Sequence, residues 1–392
     1  MCAIINERKR AGDVMLYAAA AILIILGFIF PKNKMLTAVM LVFMWILLAF
    51  NTGNADFQAY ESIYANIARG DLWVTTVDEE GFIYLCYYCA SVLNLDYSQF
   101  LVLYSTICTL LFAVMVKLYT ENSNIVIGLF IIYSYWCMIC QVRSYLATIL
   151  VLIGMYFLLY YDGKFSMLLF FTFVIVGGFF HRTAWFFLPF VLVRKTNMKT
   201  ITIVTAVATI GFLSLRVPAV TSIIGLFLSQ DKINNWLLAD GERSMVGIAM
   251  LFIIRGILIL VEGTLVYSLS KSQKFSFKVF DKYLRINKSG KVEFEVVAER
   301  IFKVTVLSFS FVVLEAFVRD FERLFRVIML LSYVLFADYT RHKKIYVSKV
   351  PLGYIGYYAF FALFMAYFFY GFVGWIDGAL RPAFESNSLL GA

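Results

Sequence analysis

Residues 140–147 of the chain read Cys-Gln-Val-Arg-Ser-Tyr-Leu-Ala, and residues 181–189 read His-Arg-Thr-Ala-Trp-Phe-Phe-Leu-Pro. Between these two stretches lie apolar runs that are long enough, as helices, to cross the hydrocarbon core of a bilayer. Arg143, His181 and Arg182 therefore stand at the ends of hydrocarbon-length segments. Ionisable groups at such positions are costly and typically mark a functional site. The two stretches thus indicate both a membrane fold and the place of its chemistry.

The apolar character of these stretches extends over the whole chain. Hydrophobic residues make up 62% of its 392 residues, aromatic residues 18% and charged residues 15%. Repeated apolar runs of roughly 15–25 residues are typical of helical membrane proteins, because a helix satisfies its own backbone in lipid. We therefore predict an all-α, polytopic integral membrane protein with about 12–13 transmembrane helices. Residues 1–392 are expected to form a single transmembrane domain, with no separate soluble domain.

The expected spans differ in length. In chain order they cover residues 14–30, 35–50, 81–94, 98–119, 124–140, 143–160, 164–180, 182–194, 199–216, 245–270, 300–318, 324–338 and 351–370. The run 182–194 is too short to cross untilted, and Pro189 interrupts it. The run 81–94 is also short and fits a re-entrant or interfacial segment better than a crossing.

Basic loops predict the orientation of the chain. The net charge of +9 is concentrated in the loops 271–300 and 339–349, which the positive-inside rule places in the cytoplasm. This distribution argues against nucleic acid as a partner. The loop 217–244 then lies on the outer face. The acidic loop 51–80 joins it there if the run 81–94 does not cross, which is the topology that we favour.

Motifs of several enzyme and transporter classes are missing. The sequence contains no phosphate-binding loop, no G-x-G-x-x-G, no H-E-x-x-H and no G-x-S-x-G motif. An ATP-driven pump or a membrane zinc protease is therefore not expected. The pairs Cys86/Cys89 and Cys137/Cys140 have C-x-x-C spacing but lie in apolar runs without a polar turn. We interpret them as buried packing residues and predict neither a metal site nor a cofactor.

Acidic and polar residues cluster after the second expected span. Residues 54–60 read Asn-Ala-Asp-Phe-Gln-Ala-Tyr, which includes Asp56 and Tyr60. Glu79-Glu80-Gly81-Phe82 begins the short apolar run. Carboxylates at a membrane face can act as general bases. The alternative is an ordinary solvated acidic loop.

Basic residues mark the two stretches that open this section. Gln141 and Arg143 precede one span, and the alternative to a ligand role is an arginine that snorkels to the headgroups. His181 and Arg182 precede another, and the alternative is a histidine packed at a helix end. The positive charge of Arg182 favours a neutral, base-competent imidazole at His181.

A third group of charges lies near the C-terminus. With spacings of i, i+4, i+7, i+8 and i+11, its members form one polar stripe if the segment is helical: Glu315, Arg319, Glu322, Arg323 and Arg326. Arginines converging at one membrane face suit a bidentate grip on phosphate or pyrophosphate. The alternative is a self-neutralised ion-pair turn between two helices.

Arg255 and Glu262 are a weaker case within one expected span. They lie seven residues apart and share a helix face, so that they could pair across two turns. We interpret Arg255 as a cavity residue and Glu262 as structural.

Taken in order, these landmarks resemble the EpsG family of bacterial exopolysaccharide polymerases, which are Wzy-like. The resemblance covers roughly residues 35–370, and two positions depart from the family pattern: Phe57 follows Asp56 where the family has Tyr, and Ser144 follows Arg143 where the family has Gln. The matching elements are Asp56 to Tyr60, Glu80-Gly-Phe, Gln141 to Ala147, His181 to Pro189, and Glu322-Arg323-Leu-Phe-Arg326.

The resemblance implies a fold similar to GT-C glycosyltransferases and the polymerisation of lipid-linked repeat units, as in exopolysaccharide or capsule biosynthesis. The protein would lie in the bacterial cytoplasmic membrane as a multi-pass protein, with its active site facing outside. The donor would be a glycan on undecaprenyl pyrophosphate, and the acceptor the free-end sugar of another lipid-linked repeat. A chain-length regulator and a flippase are expected partners besides the membrane lipid.

The reaction assigns roles to the charged residues. An inverting, metal- and nucleotide-independent transfer needs a base, for which Asp56, Glu80 and His181 are candidates. Asp56 is preferred if the loop 51–80 is outside, and His181 otherwise. Fixed positive charge stabilises the leaving pyrophosphate. The expected binding residues are Arg143, Arg182, Arg319, Arg323 and Arg326, together with Tyr60, Gln141 and Arg255.

Three other functions stay open. A lipid-linked oligosaccharide flippase or another transporter would share the membrane fold, although we find neither internal repeats nor charges along a path across the membrane. A membrane acyltransferase that modifies the glycan is a second alternative. A glycan ligase, which passes finished glycan to a different acceptor, is hard to distinguish from a polymerase by sequence.

Overall fold

The computed structural model describes residues 2–71, 79–215, 245–271, 291–342 and 376–390. Within these ranges the regular structure is helical, and the only bridges are two isolated ones, Asn51–Asn387 and Tyr161–Lys291. The prediction of an all-α chain is confirmed. The loop 217–244, the span 351–370 and most of the loops 271–300 and 339–349 lie outside the described residues.

Ten α-helices lie in the described ranges 2–71 and 79–215. They are α1 (Cys2–Ile29), α2 (Lys34–Ala49), α3 (Phe57–Ala68), α4 (Glu80–Tyr87), α5 (Tyr97–Tyr119), α6 (Ser123–Ile132), α7 (Tyr135–Cys140), α8 (Val142–Tyr160), α9 (Lys164–Phe180) and α10 (Met198–Ser214). A π-helical turn, Tyr88–Val92, continues α4, and a 3₁₀-helix, Arg182–Arg194, follows α9.

Five helices follow in the remaining described ranges. They are α11 (Met245–Lys271), α12 (Phe294–Ser308), α13 (Phe311–Phe317), α14 (Glu322–His342) and α15 (Arg381–Glu385). A short 3₁₀ turn, Arg319–Phe321, separates α13 from α14, and a π-helical turn, Ile376–Leu380, precedes α15.

Short polar side chains determine where several helices begin. Asn33 accepts the backbone N–H of Leu36 at 3.0 Å and starts α2. Asp96 and Gln99 form a capping box at the start of α5, in which each side chain accepts the other's backbone N–H. These bonds satisfy N–H groups that a helix leaves unpaired at its first turn. The polar segments between apolar runs are therefore also the helix start signals.

Three helices of the described ranges are long and apolar enough to cross a membrane, judged by length and composition. They are Tyr97–Tyr119, Val142–Tyr160 and Met245–Tyr267. The shorter apolar helices include Lys34–Ala49, Lys164–Phe180 and Met198–Ser214. The first two long helices agree with the expected spans 98–119 and 143–160 within one residue.

Other expected spans are broken. The run 124–140 forms α6 and α7, because the backbone turns at Ser134, which has a φ of 94°. The run 300–318 begins earlier, at Phe294, and is interrupted between Ser308 and Phe311. The run 182–194 is a 3₁₀-helix with Pro189 inside it, which cannot donate a backbone hydrogen bond.

The described chain divides into two compact units. The first comprises Met1–Ile153, Phe173–Arg182 and Tyr333–Ala392, and the second comprises Gly154–Thr172 and Thr183–Ser332. In the first unit α1 packs on α6 and α2 packs on α5. In the second unit α10 and α11 each pack on α12 and on α13. The single domain over residues 1–392 stays a prediction.

Aromatic side chains form the core of each unit. In the first unit, the rings of Phe112 and Phe130 stack with centroids 4.7 Å apart. In the same unit, α1 can approach α6 closely because Gly27 faces the carbonyl oxygen of Asn124, which a Cβ would approach to 2.9 Å. In the second unit, Phe311 packs against Phe190 with ring centroids 5.7 Å apart. Burying large rings of this kind is a major source of packing stability.

Candidate functional site

Arg143 lies in the first turn of α8, and its backbone is held from two sides. The carbonyl oxygen of Gln141 accepts the N–H of Tyr145 at 3.1 Å, which begins the helix. The buried hydroxyl of Tyr104 donates to the carbonyl oxygen of Val142 at 3.0 Å. Gln141 itself is buried and ends α7. The positive end of the α8 dipole and the guanidinium therefore lie together, an arrangement that favours an anion.

The anion that the structure provides there is the carboxylate of Glu79. Arg143 donates from Nη1 to Glu79 Oε2 in an ion pair, with only 19% of the arginine side chain and 10% of the glutamate side chain exposed. Arg143 Nε donates to the hydroxyl of Tyr60 at 3.3 Å. The guanidinium carbon lies 5.5 Å from the ring centroid of Tyr60 and 5.9 Å from that of Phe82. Arg143 is thus enclosed by one carboxylate and two aromatic rings.

The guanidinium keeps donors for a further anion. Among the described residues, no hydrogen bond from Arg143 Nη2 is present. A planar guanidinium has five N–H donors in a fixed geometry that matches carboxylate and phosphate oxygens. Arg143 can therefore hold Glu79 and still receive a phosphate oxygen.

Helix α3 connects Asp56 to this cluster. Asp56 is the residue that begins α3, and its carbonyl oxygen accepts the N–H of Tyr60 at 3.0 Å. Residues four apart lie on the same face of a helix, roughly 5–6 Å apart at Cβ. Asp56, which is half-buried, is thus one turn from the tyrosine whose hydroxyl accepts a hydrogen bond from Arg143. This geometry relates the predicted Asp56–Tyr60 element to the predicted Arg143 element.

Glu80, one of the predicted bases, lies on the other side of α4. Glu79 is buried and Glu80 is exposed. The buried positions of this segment are Glu79, Phe82, Cys86 and Cys89, at spacings of three, four and three residues. The inward face therefore excludes Glu80, and the carboxylate in contact with Arg143 belongs to its neighbour.

The predicted elements Glu80-Gly-Phe and His181 come together through Gly81. A Cβ at Gly81 would lie 3.0 Å from both the Cβ and the carbonyl oxygen of Phe179, so only glycine allows this approach of α4 to α9. His181 lies two residues after Phe179 and is buried. Its backbone N–H donates to the carbonyl oxygen of Gly177 at 2.9 Å. Arg182 is half-buried at the same helix end. The end of α9 therefore lies beside the beginning of α4.

Tyr64, one turn beyond Tyr60 on α3, has a different role. Burial raises the pKa of its phenol, and the nearby cysteines Cys89 and Cys86 raise it further. Its hydroxyl donates to the carbonyl oxygen of Leu95 at 2.8 Å. A phenol that remains protonated and bonded to the backbone serves packing, which leaves Tyr60 as the tyrosine of α3 that contacts the cluster.

In the second unit, Arg255 pairs with a different carboxylate from the expected one. Arg255 Nη2 donates to Glu315 Oε2 at 2.7 Å, and both side chains are buried. Arg255 also lies over the ring of Phe325. Glu262 accepts a hydrogen bond from the hydroxyl of Ser332. The expected contact between Arg255 and Glu262 along α11 is therefore wrong, since each side chain finds a partner on a neighbouring helix.

The predicted stripe from Glu315 to Arg326 is not one continuous helix. Val318 is extended, with a φ of −135° and a ψ of 120°, and α14 begins at Glu322. Arg326 is fully buried and donates from Nε to both carboxylate oxygens of Glu322, at 3.1 and 3.0 Å. Arg323 pairs with the exposed Asp320 at 3.2 Å. These pairs correspond to the self-neutralised turn that was the alternative interpretation.

Arg319 lies in the short turn between α13 and α14, and its side chain is outside the described part of the structure. Within the described residues, no three His, Cys, Asp or Glu side chains form a group that could hold a metal ion. The charged cluster in the first unit therefore comprises Arg143, Glu79 and Tyr60, with Asp56 one helical turn away.

The comparison with protein families matches residues 34–377 to the model of the EpsG family. The match spans most of the chain and includes every predicted site residue. No curated protein and no solved structure matches the chain.

Proposed function

The chain belongs to the EpsG family, and from this premise we propose that it is a Wzy-like polysaccharide polymerase of the bacterial cytoplasmic membrane. It transfers a glycan from undecaprenyl pyrophosphate to the free-end sugar of another lipid-linked repeat unit, on the outer face of the membrane. The long apolar helices and the charged cluster beside them support a multi-pass membrane enzyme of this kind.

The proposed step is a single displacement at the anomeric carbon. The acceptor hydroxyl loses its proton to a base and forms the new glycosidic bond. The bond from the anomeric carbon to the phosphate oxygen breaks, and lipid pyrophosphate leaves with the electron pair. Attack from the opposite face inverts the configuration. Neither a metal nor a nucleotide is needed if arginines stabilise the charge on the leaving group.

The observation that carries the proposal is the environment of Arg143. A guanidinium at a helix N-terminus already holds a carboxylate, and it has Nη2 donors with no hydrogen-bond partner among the described residues. Charge-assisted bonds from arginine to phosphate are strong and directional. We therefore assign Arg143 to the pyrophosphate, with Tyr60 orienting the guanidinium and Glu79 as the counter-ion that stays paired with Nη1 while Nη2 receives a phosphate oxygen.

The base is assigned to Asp56. This residue is half-buried at the start of α3 and one turn from Tyr60. His181 is the second candidate for the base. Gln141 and Arg182 are assigned as further substrate contacts. Glu80 is the weakest of the three candidates, because it faces away from Arg143. In the second unit, Arg319 and Arg323 remain proposed phosphate contacts, whereas Arg255 and Arg326, also predicted as such, are held in buried ion pairs.

Among these arginines, Arg323 fits the role best. Its partner Asp320 is 69% exposed, so the carboxylate is well solvated and can give way to another anion, although the arginine side chain itself is only 17% exposed. To bind a phosphate, Arg326 would have to give up its buried ion pair with Glu322, and Arg255 its buried ion pair with Glu315. Exchanging a buried pair leaves an uncompensated charge, which costs on the order of 3–5 kcal/mol.

The test is reconstitution of the purified protein in vesicles with a defined lipid-linked repeat. A ladder of products that grows by one repeat at a time supports the polymerase. Transfer of one unit to a different acceptor supports a ligase, and translocation of the lipid without product supports a flippase. Either of the last two results would overturn the proposal.

A matched pair of arginine variants connects the reaction to the cluster. We expect Arg143→Ala to lower the rate of polymerisation by on the order of 100-fold, as the loss of a donor to a developing negative charge does. Arg69→Ala is the control, since Arg69 lies at the end of α3 and is exposed, and its side chain donates to that of Asn66 on the same helix. Normal polymerisation by Arg143→Ala would show that the pyrophosphate assignment is wrong.

A further inference from the structure

The segment 376–390 pairs with the turn that carries Asp56. The N–H of Thr52 donates to the carbonyl oxygen of Ser386 at 3.0 Å, and the N–H of Ala55 donates to that of Gly378 at 2.9 Å. In the opposite direction, the N–H of Ser388 donates to the carbonyl oxygen of Phe50 at 2.9 Å. Three backbone hydrogen bonds thus join two segments that are more than 300 residues apart in the sequence.

Gly53 makes the contact close. A Cβ at this position would lie 2.4 Å from the Cβ and 2.5 Å from the Oγ of Ser386. No side chain fits there without moving one of the two segments. The next atom, the Cβ of Pro382, would be 3.7 Å away, which is an ordinary contact. Among the described residues, Ser386 is therefore the one that a Cβ at Gly53 would meet closer than an ordinary contact.

The segment is itself held firmly in the first unit. Phe384 is fully buried, and its ring centroid lies 4.4 Å from that of Tyr17 and 5.1 Å from that of Trp136. The side chain of Asn387 donates to the carbonyl oxygen of Ile46 at 3.0 Å. Packing and side-chain hydrogen bonds together make this segment a rigid support for what it touches.

The same segment also touches the residue before Gln141. The thiol of Cys140 donates to the carbonyl oxygen of Gly378 at 3.3 Å, and that oxygen also accepts the N–H of Ala55. The carbonyl oxygen of Gly378 therefore accepts hydrogen bonds from Ala55, which precedes Asp56, and from Cys140, which lies three residues before Arg143. The backbone of Gly378 thus links the segment that carries Asp56 to the segment that carries Arg143.

We propose that residues 376–390 position Asp56 relative to Arg143, so that the base and the pyrophosphate-binding arginine keep a productive separation. This inference rests on the proposed function. The segment touches neither substrate nor reacting atoms, so Gly53, Gly378 and Ser386 are positioning residues. Displacing a reacting group by about 1 Å can lower a rate by on the order of 100-fold, so a segment that holds Asp56 in place has a large effect on the reaction.

The experiment removes and restores the fit of Gly53 against Ser386. Gly53→Ala forces the two segments apart, and Gly53→Ala with Ser386→Gly removes the obstructing atoms. Gly211→Ala is the matched control, because a Cβ there meets no atom within 4 Å. Each variant is reconstituted as the full chain. The measurements are the kcat and KM of ladder formation and the hydrogen exchange of the backbone amides of residues 52–55.

We expect Gly53→Ala to lower kcat by on the order of 10-fold to 100-fold with the donor KM unchanged, and to speed exchange at Thr52 and Ala55. The double variant should recover both properties to within about threefold, and Gly211→Ala should resemble the parent. If Gly53→Ala does not fold, Thr52→Val serves in its place, since it removes only the 2.8 Å bond from the threonine hydroxyl to the carbonyl oxygen of Ser386. Thr52→Val should shift both measurements in the same direction by a smaller factor.

Two results would overturn the inference. One is faster exchange at residues 52–55 with an unchanged kcat, which would mean that the contact does not affect the chemistry. The other is no change in either measurement. Failure of the proposed function looks different, because the parent protein would then form no ladder while the exchange measurement would still report on the contact. Full activity of Asp56→Asn would refute the base alone.

Discussion

Glu79 and Arg143 form an ion pair across 64 residues of sequence, while Glu80, the immediate neighbour of Glu79, faces away from the arginine. The pair joins the beginning of α4 to the beginning of α8. Because both side chains are mostly buried, neither charge is compensated by water if the other is removed. The pair therefore stabilises the fold, and Glu79 also serves as the counter-ion of Arg143 in the proposed binding site.

The first prediction uses this neighbouring pair of glutamates. We expect Glu79→Gln to lower the free energy of unfolding by about 2–3 kcal/mol, because Arg143 then lacks its counter-ion in a mostly buried site. Glu80→Gln, the same chemical change one residue away on an exposed position, should have almost no effect. Thermal unfolding of the purified variants in detergent measures both. Equal destabilisation by the two substitutions would contradict the assignment of Glu79 to Arg143.

The second prediction concerns how Arg143 is oriented. Tyr60→Phe keeps the ring beside the guanidinium but removes the acceptor of the 3.3 Å hydrogen bond from Nε. A single hydrogen bond to a charged group contributes about 1.5–3 kcal/mol, so polymerisation should slow by roughly 10-fold to 100-fold if the bond orients Arg143. The measurement is the rate of ladder formation at saturating substrate.

Tyr64→Phe is the control for that measurement. It removes a hydroxyl from the next turn of α3, whose bond goes to the carbonyl oxygen of Leu95 and not to Arg143. Its effect should appear in stability and leave the rate nearly unchanged. An unchanged rate in Tyr60→Phe would mean that the tyrosine contributes only packing.

Much of the helical framework could be predicted from the sequence. The apolar runs 98–119 and 143–160 became α5 and α8 within one residue at each end, because continuous apolar length and polar caps determine such helices locally. The break at Ser134 could not be predicted in this way. Ser134 has a φ of 94°, a backbone conformation that residues other than glycine rarely adopt. Because Ser134 is fully buried, the surrounding tertiary packing determines this conformation, and the local sequence does not.

The candidate site was predictable in part for a similar reason. Arg143 is a charge in an apolar run, and this local signal suffices to identify it. The choice between Glu79 and Glu80 depends on the rotation of α4, which composition does not show. A signal was present in the spacing of Glu79, Phe82 and Cys86, which lie on one helix face. Partners on other helices, such as Glu315 for Arg255, have no local signal at all.

The third prediction separates the two main candidates for the base. We expect Asp56→Asn to lower kcat by on the order of 100-fold to 10,000-fold, as the loss of a general base does, with little change in the donor KM. Asp71→Asn is the control, because it removes a carboxylate from an exposed position after α3. His181→Gln should lower kcat by only a few fold. The opposite ranking of Asp56 and His181 would transfer the role to the histidine.

The fourth prediction tests whether Arg326 supports the fold or binds the substrate. Arg326→Met alone removes the arginine that pairs with the buried carboxylate of Glu322, and should destabilise the protein by on the order of 3–5 kcal/mol. Arg326→Met with Glu322→Leu replaces the whole pair by apolar side chains of similar volume. Such replacements are often neutral or stabilising, so the double variant should regain its stability.

The rate of polymerisation in that double variant then decides the role of Arg326. We expect it to stay within about threefold of the parent, because an arginine that is fully buried and bonded to both oxygens of Glu322 has little to offer a ligand. Arg323→Ala, which removes a partly exposed arginine whose partner Asp320 is solvated, should slow the reaction more. A double variant that is stable but inactive would mean that Arg326 releases Glu322 and binds the pyrophosphate during the reaction.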